Sequence, residues 1–181
     1  MGLGFEELRK TNQGLIYCSI TGFGPDGPSS KRYLSSHSFH IALESAFNNC
    51  CSFYSSLINF QCCRGGYDVI AASIGGLMHV TGEAGGGPAK VGVAMTDLMT
   101  ALYAHGAVLA ALLQRQQTGL GQKIDCNLVS SQVSAMTHLA SNWLNAGQLA
   151  TRWGTGHASI VPYQAFKTLD GYITIGCGND K

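Results

Sequence analysis

Charge is scarce in this 181-residue chain: 12% of residues are charged and the formal net charge is +1. A polyanion-binding face needs a basic patch, and single-strand recognition needs aromatics interleaved with it. Neither pattern is present, which argues against nucleic-acid partners. No apolar run is expected to reach the roughly 20 residues that cross a bilayer. The N-terminus, MGLGFEELRK, lacks a signal-peptide apolar core and the Arg-rich, acid-poor character of a transit peptide. A soluble chain with no membrane partner is the expectation. Disulfide and metal frameworks are missing too. The cysteines number seven, at Cys18, Cys50, Cys51, Cys62, Cys63, Cys126 and Cys177, an odd count with two adjacent pairs and no CxxC spacing. They read as reduced thiols of an intracellular protein, with no metal ligands among them.

What is abundant is glycine, 24 residues against a usual share of roughly 7%. That excess signals tight turns or backbone that approaches a ligand closely. FEELRK (5–10) reads as the end of a helix closed by Asn12-Gln13-Gly14, and LIYCSI (15–20) as a short buried strand. TGFGPDGP (21–28) then breaks regular structure. A strand running into a glycine-rich loop is how α/β folds offer backbone N–H groups to ligands, although any such unit needs turns.

Residues 31–64 differ from the rest: none of the 24 glycines lies there, and four of the seven cysteines do. The stretch reads either as a helical hairpin or surface excursion, or as an inserted, irregular segment, such as one added by alternative splicing. Beyond it, a short helix is expected over Asp68–Ser73, with turns at Gly75-Gly76 and Gly85-Gly86-Gly87.

A long helix is expected from about Asp97 to Gln117, N-capped by Thr96 and closed by TGLG. Its leucines and alanines leave it apolar nearly all round, so burial is expected. QKIDCNLV (122–129) reads as a strand or a helix start, residues 130–147 as a second helix, and the C-terminal 28 residues as a glycine loop and two short strands about Asp170-Gly171. Asp97 stands alone in KVGVAMTDLMTALY. From local sequence it is either an acid stabilising the first helical turn, for about 0.3–1 kcal/mol, or a reactive carboxylate.

Four blocks together narrow that choice. YCSITGFGPDGP, GYDVIAASIGGLMHVTGE, KVGVAMTDLMTALYAHGAVLAALLQRQQTGLGQKIDCNL and HASIVPYQAFKTLDGYI resemble the class III CoA-transferase family, the CaiB/BaiF type. It includes formyl-CoA and carnitine CoA-transferases and α-methylacyl-CoA racemase. The likeness covers residues 1–30 and 65–181. It implies an α/β fold with part of a Rossmann-like large domain and the start of a small one, and an interlocked homodimer in complete members. The organisation so implied is the end of the Rossmann-like part over 1–30, the atypical insert over 31–64, a core with the catalytic acid over 65–150, and the small domain over 151–181.

The resemblance places the catalytic aspartate at Asp97 and a loop lying along coenzyme A at Thr21, Gly22, Phe23 and Gly24. Tyr67 stands where racemase relatives carry histidine; a phenol titrates near 10 and makes a poor proton shuttle, which favours CoA transfer over racemisation. Gly154, Gly156 and His157 fall in a flexible loop over the acyl site, and Arg152 is a candidate for a distal carboxylate. No cofactor is held permanently; the coenzyme A thioester is the substrate, with succinyl-CoA as donor and a dicarboxylate such as glutarate as acceptor. A mitochondrial location follows from that likeness, and a cytoplasmic one otherwise. Complete members are longer at both ends, so this chain is expected to be a truncated or spliced product with impaired transfer.

Overall fold

The computed structural model describes residues 3–26, 30, 39–43 and 66–179. The chain divides into two compact units: residues 1–75 with 93–135, and 76–92 with 136–181. That division differs from the expected boundaries, because the segment after Gly75 leaves the first unit and the chain returns to it at Val93.

In the first unit, helix α1 (Phe5–Thr11) leads into strand β1 (Ile16–Thr21). Leu15, Ile16, Tyr17 and Cys18 are buried, as expected of the apolar run. Strand β1 pairs in parallel with β3 (Lys123–Asn127), from Tyr17 opposite Lys123 to Thr21 opposite Asn127. A parallel pair requires a crossover; here it contains α2 (Asp68–Ile74) and α4 (Met95–Thr118). On its other edge β1 pairs antiparallel with β2 (Phe39–Leu43). The stretch expected to be irregular therefore holds a strand, since an extended FHIAL segment satisfies the open edge of β1; the rest of 31–64 lies outside the described residues. The thiols of Cys18 and Cys126 are free and share a hydrogen bond between the parallel strands. Burial, reinforced by Cys126, pushes Cys18 up to about 11.

Helix α4 departs from expectation at its start and on its surface. It begins at Met95 after Ala94, which places Thr96 inside the first turn. Its buried positions are Thr96, Thr100, Ala104 and Ala111, a small-residue face against β1, β3, α2 and α5 (Leu128–Ala135). The Thr100 hydroxyl donates back to the Thr96 carbonyl at 2.8 Å, satisfying itself within the helix. Leu98, Leu102, Leu109 and Leu113 are between 49% and 71% exposed. The expectation of burial all round fails because the sheet accepts only the narrow face. At 24 residues, with a mean hydropathy of 1.4 in its most apolar stretch, α4 is long and apolar enough to cross a bilayer by length and composition alone, contrary to expectation. Gly119 closes the helix in the left-handed conformation, as foreseen, and Arg115 Nη1 donates to Gly14 O at 3.0 Å.

The second unit contains α3 (Leu77–Val80), α6 (Thr137–Ala146) and the hairpin of β4 (Tyr163–Lys167) and β5 (Tyr172–Gly176). The single helix expected over 130–147 is instead α5 followed by α6, broken where Thr137 takes a φ of 39°. The break coincides with the division between the units at Ala135 and Met136. The expected Asp170-Gly171 turn joins the hairpin, with Thr168 N–H donating to Gly171 O at 2.9 Å.

Candidate active site

The carboxyl ends of parallel strands open a crevice where α/β proteins place ligands. Thr21 and Asn127 sit opposite each other at those ends. The Thr21 hydroxyl accepts the Gly24 N–H at 3.0 Å, folding the TGFG segment back on itself. Gly24 takes a φ of +81° and lies against the Asn127 amide, so a side chain there would be strained. Asn127 Oδ1 accepts the Ser130 N–H at 2.7 Å, capping α5, and Gly22 O accepts the Val129 N–H at 3.2 Å. Asn127 thus joins strand end, glycine loop and helix start.

The same loop reaches Gly66, the residue before the N-cap of α2. A Cβ on Gly22 would lie 2.5 Å from Gly66 Cα, a crossing open only to glycine. One residue on is Tyr67, 53% exposed. Asp68, the first residue of α2, points across to α4: its Oδ1 accepts the Thr96 N–H at 2.8 Å. The cap assigned to Thr96 is therefore supplied by Asp68, satisfying one of the free amides at the mouth of α4. Among the described residues, the buried Thr96 Oγ1 has no hydrogen-bond partner.

Asp97 follows directly, exposed in the first turn of α4. Desolvation first, and the charge of Asp68 second, hold its carboxyl above the usual carboxylate range. A carboxylate with raised pKa is more basic, and so more nucleophilic, while the helix mouth still favours its anion. One chain of contacts therefore runs from the TGFG loop through Gly66 and Asp68 to Thr96 and Asp97.

Arg152, Gly154, Gly156 and His157 lie in the second unit. Gly154 N–H donates to Gly82 O at 3.0 Å, and Gly156 N–H to Trp153 O at 2.9 Å. Arg152 lays its Cδ near Gly82 and has a buried Nε without a hydrogen-bond partner among the described residues. Among the described residues it makes no ion pair. His157 Nδ1 accepts the N–H groups of Ser159 and Ile160 at 3.2 and 3.1 Å. No group of His, Cys, Asp and Glu suited to a metal occurs among the described residues.

The model of CoA-transferase family III matches residues 1–45 and 59–181. The chain belongs to that family. It is 46% identical over 181 residues to human succinyl-CoA:glutarate CoA-transferase, covering 100% of this chain and 34% of that protein. An Agrobacterium fabrum succinate–glutarate CoA-transferase is 35% identical, over 99% of this chain and 37% of that one. The crystal structure of a CaiB/BaiF family protein from Brucella suis superposes with a TM-score of 0.75 at 37% identity, covering 99% of this chain and 39% of that one. The chain thus spans about a third of the length of these family III relatives. The family match omits only residues 46–58, a narrower gap than the insert expected over 31–64.

For this family III chain, sequence reasoning singled out Asp97 but missed three residues around it. Asp68 was visible as an acid opening a short helix, yet its partner lies 28 positions away. Gly66 and Asn127 carry no signal of their own, because each acts through a contact distant in sequence.

Proposed function

We propose that this chain carries the reacting carboxylate of a CoA-transferase that moves coenzyme A from succinyl-CoA to a dicarboxylate such as glutarate. The observation that carries this reading is Asp97 in the first turn of α4, its pKa raised by partial desolvation and then by Asp68, beside a loop tied to the same helix end. The names of the relatives support the substrates.

The Asp97 carboxylate attacks the thioester carbonyl of succinyl-CoA, forming a C–O bond while the C–S bond breaks. This gives an aspartyl–succinyl anhydride and coenzyme A thiolate. The thiolate attacks the aspartyl carbonyl and releases succinate, leaving coenzyme A on Asp97 as a thioester. Glutarate repeats the sequence in reverse, ending with glutaryl-CoA and free Asp97. Each step exchanges one acyl oxygen or sulfur nucleophile for another, and protons and electrons balance. Backbone N–H groups of Thr21–Gly24 are the proposed contacts to the coenzyme. Arg152, whose buried Nε has no hydrogen-bond partner among the described residues, is suited by its guanidinium to a carboxylate. Tyr67 at the entrance to α2 favours transfer over racemisation for the reason given above. The uncovered leucine face of α4 supports a homodimeric assembly.

Trapping tests the reading. With succinyl-CoA and hydroxylamine, peptide mapping should find the hydroxamate on Asp97; label elsewhere, or none while glutaryl-CoA accumulates, refutes it.

Asp68→Asn separates charge from geometry. The amide oxygen still accepts the Thr96 N–H, but the negative neighbour that raises Asp97 is gone. The Asp97 pKa falls, so the acid limb of the trapping rate moves to lower pH. A pH–rate profile that does not move, or moves upward, contradicts the assigned coupling.

A further inference from the structure

The Nδ1 atom of His157 accepts two backbone N–H groups, from Ser159 and Ile160, and Ser159 Oγ lies 3.5 Å from it. A ring nitrogen that accepts two N–H groups presents its lone pair, so the ring proton resides on Nε2. The spacing, to the second and third residues on, is that of an Asx turn, in which a side-chain oxygen stands in for a backbone carbonyl. The ring is held from a second side: Tyr163 meets it edge-on at 5.2 Å and 61°, and His157 N–H donates to Tyr163 O at 2.9 Å. Thr155 Oγ1 accepts the Ala165 N–H at 3.1 Å, tying the preceding residues to β4 as well.

We propose that His157 is a positioning residue that clasps the 157–160 turn through Nδ1 and thereby presents Nε2–H as a fixed hydrogen-bond donor to a carboxylate oxygen. The donor role rests on the transfer reading above; the clasp does not. With its Nδ1 lone pair engaged by the Ser159 and Ile160 N–H groups, the ring meets a ligand through Nε2–H. Its chemistry toward a ligand is therefore donation, which suits an ionised carboxylate, an acceptor-only group.

The chain labelled with 15N-histidine tests both parts by NMR. His157 should show the Nε2–H tautomer, and titration with glutarate should shift that Nε2 resonance. In His157→Asn, the amide oxygen replaces Nδ1 while nothing replaces Nε2–H. The Ser159 and Ile160 amides should then keep their slow exchange within about twofold, while glutarate affinity falls about fivefold to tenfold. In His157→Ala the two amides should exchange about tenfold faster. An Nδ1–H tautomer in the unsubstituted chain, or unchanged exchange in His157→Ala, overturns the clasp. An Nε2 resonance that ignores glutarate, or undiminished affinity in His157→Asn, overturns the donor role. Failure of trapping at Asp97 with the tautomer signal intact counts against transfer and leaves the clasp standing.

Discussion

Replacing Asp97 with asparagine abolishes trapping and lowers any glutaryl-CoA formation by at least about a thousandfold, equivalent to about 4 kcal/mol of barrier. Asparagine retains the shape and the position in the first turn of α4, but its amide is no nucleophile toward a thioester and cannot hold coenzyme A. The variant should remain folded, and the sign of the pKa shift says why. A carboxyl whose pKa is raised in the folded state contributes stability that is fully present below its unfolded pKa and is lost as pH rises through the folded value. At neutral pH Asp97 is therefore ionised at some expense to the fold, because of desolvation and Asp68. Asparagine relieves that expense, so the melting temperature at pH 7 should not fall. Loss of activity together with a collapse in melting temperature would mean that Asp97 is a structural acid after all.

Gly22→Ala should be the most damaging single-methyl change near the site. The new Cβ would stand 2.5 Å from Gly66 Cα, backbone against backbone, so one segment must move. Overpacking of this kind costs roughly 1–3 kcal/mol. Displacing Gly66 also drags Asp68 from the Thr96 N–H, adding about 1 kcal/mol. A combined loss of about 2–4 kcal/mol corresponds to a melting temperature lower by roughly 5–15 °C for a chain of this size. Gly106→Ala is the control: nothing lies within 4 Å of its Cβ, and alanine favours a helix interior by up to about 1 kcal/mol. Thermal melts that rank the two variants equally would show that the Gly22–Gly66 crossing is not tight in solution.

Local chemistry made several elements legible before the structure. The apolar LIYCSI run became β1, Gly119 closed α4, and Asp170-Gly171 turned the hairpin. Each of these depends on neighbours within a few residues. The errors arose where distant parts decide. Thr96 looked like a cap because threonine often is one, but Asp68 arrives from another helix to do it. The helix expected over 130–147 broke because the chain passes between units there, which periodicity does not register. Asp97 was legible as an isolated acid, whereas what tunes it, desolvation first and the charge of Asp68 second, was not.

The inner face of α4 reverses the ordinary ranking of its residues. Thr96, Thr100, Ala104 and Ala111 lie flush on their surroundings, while the bulkier leucines stand outside. In such a helix the conservative-looking exchanges, threonine to isoleucine or alanine to valine, act as wedges that lever the whole rod and its terminal acid away from their seat. Hydrophobicity scores would rate those changes harmless and fear for the leucines instead.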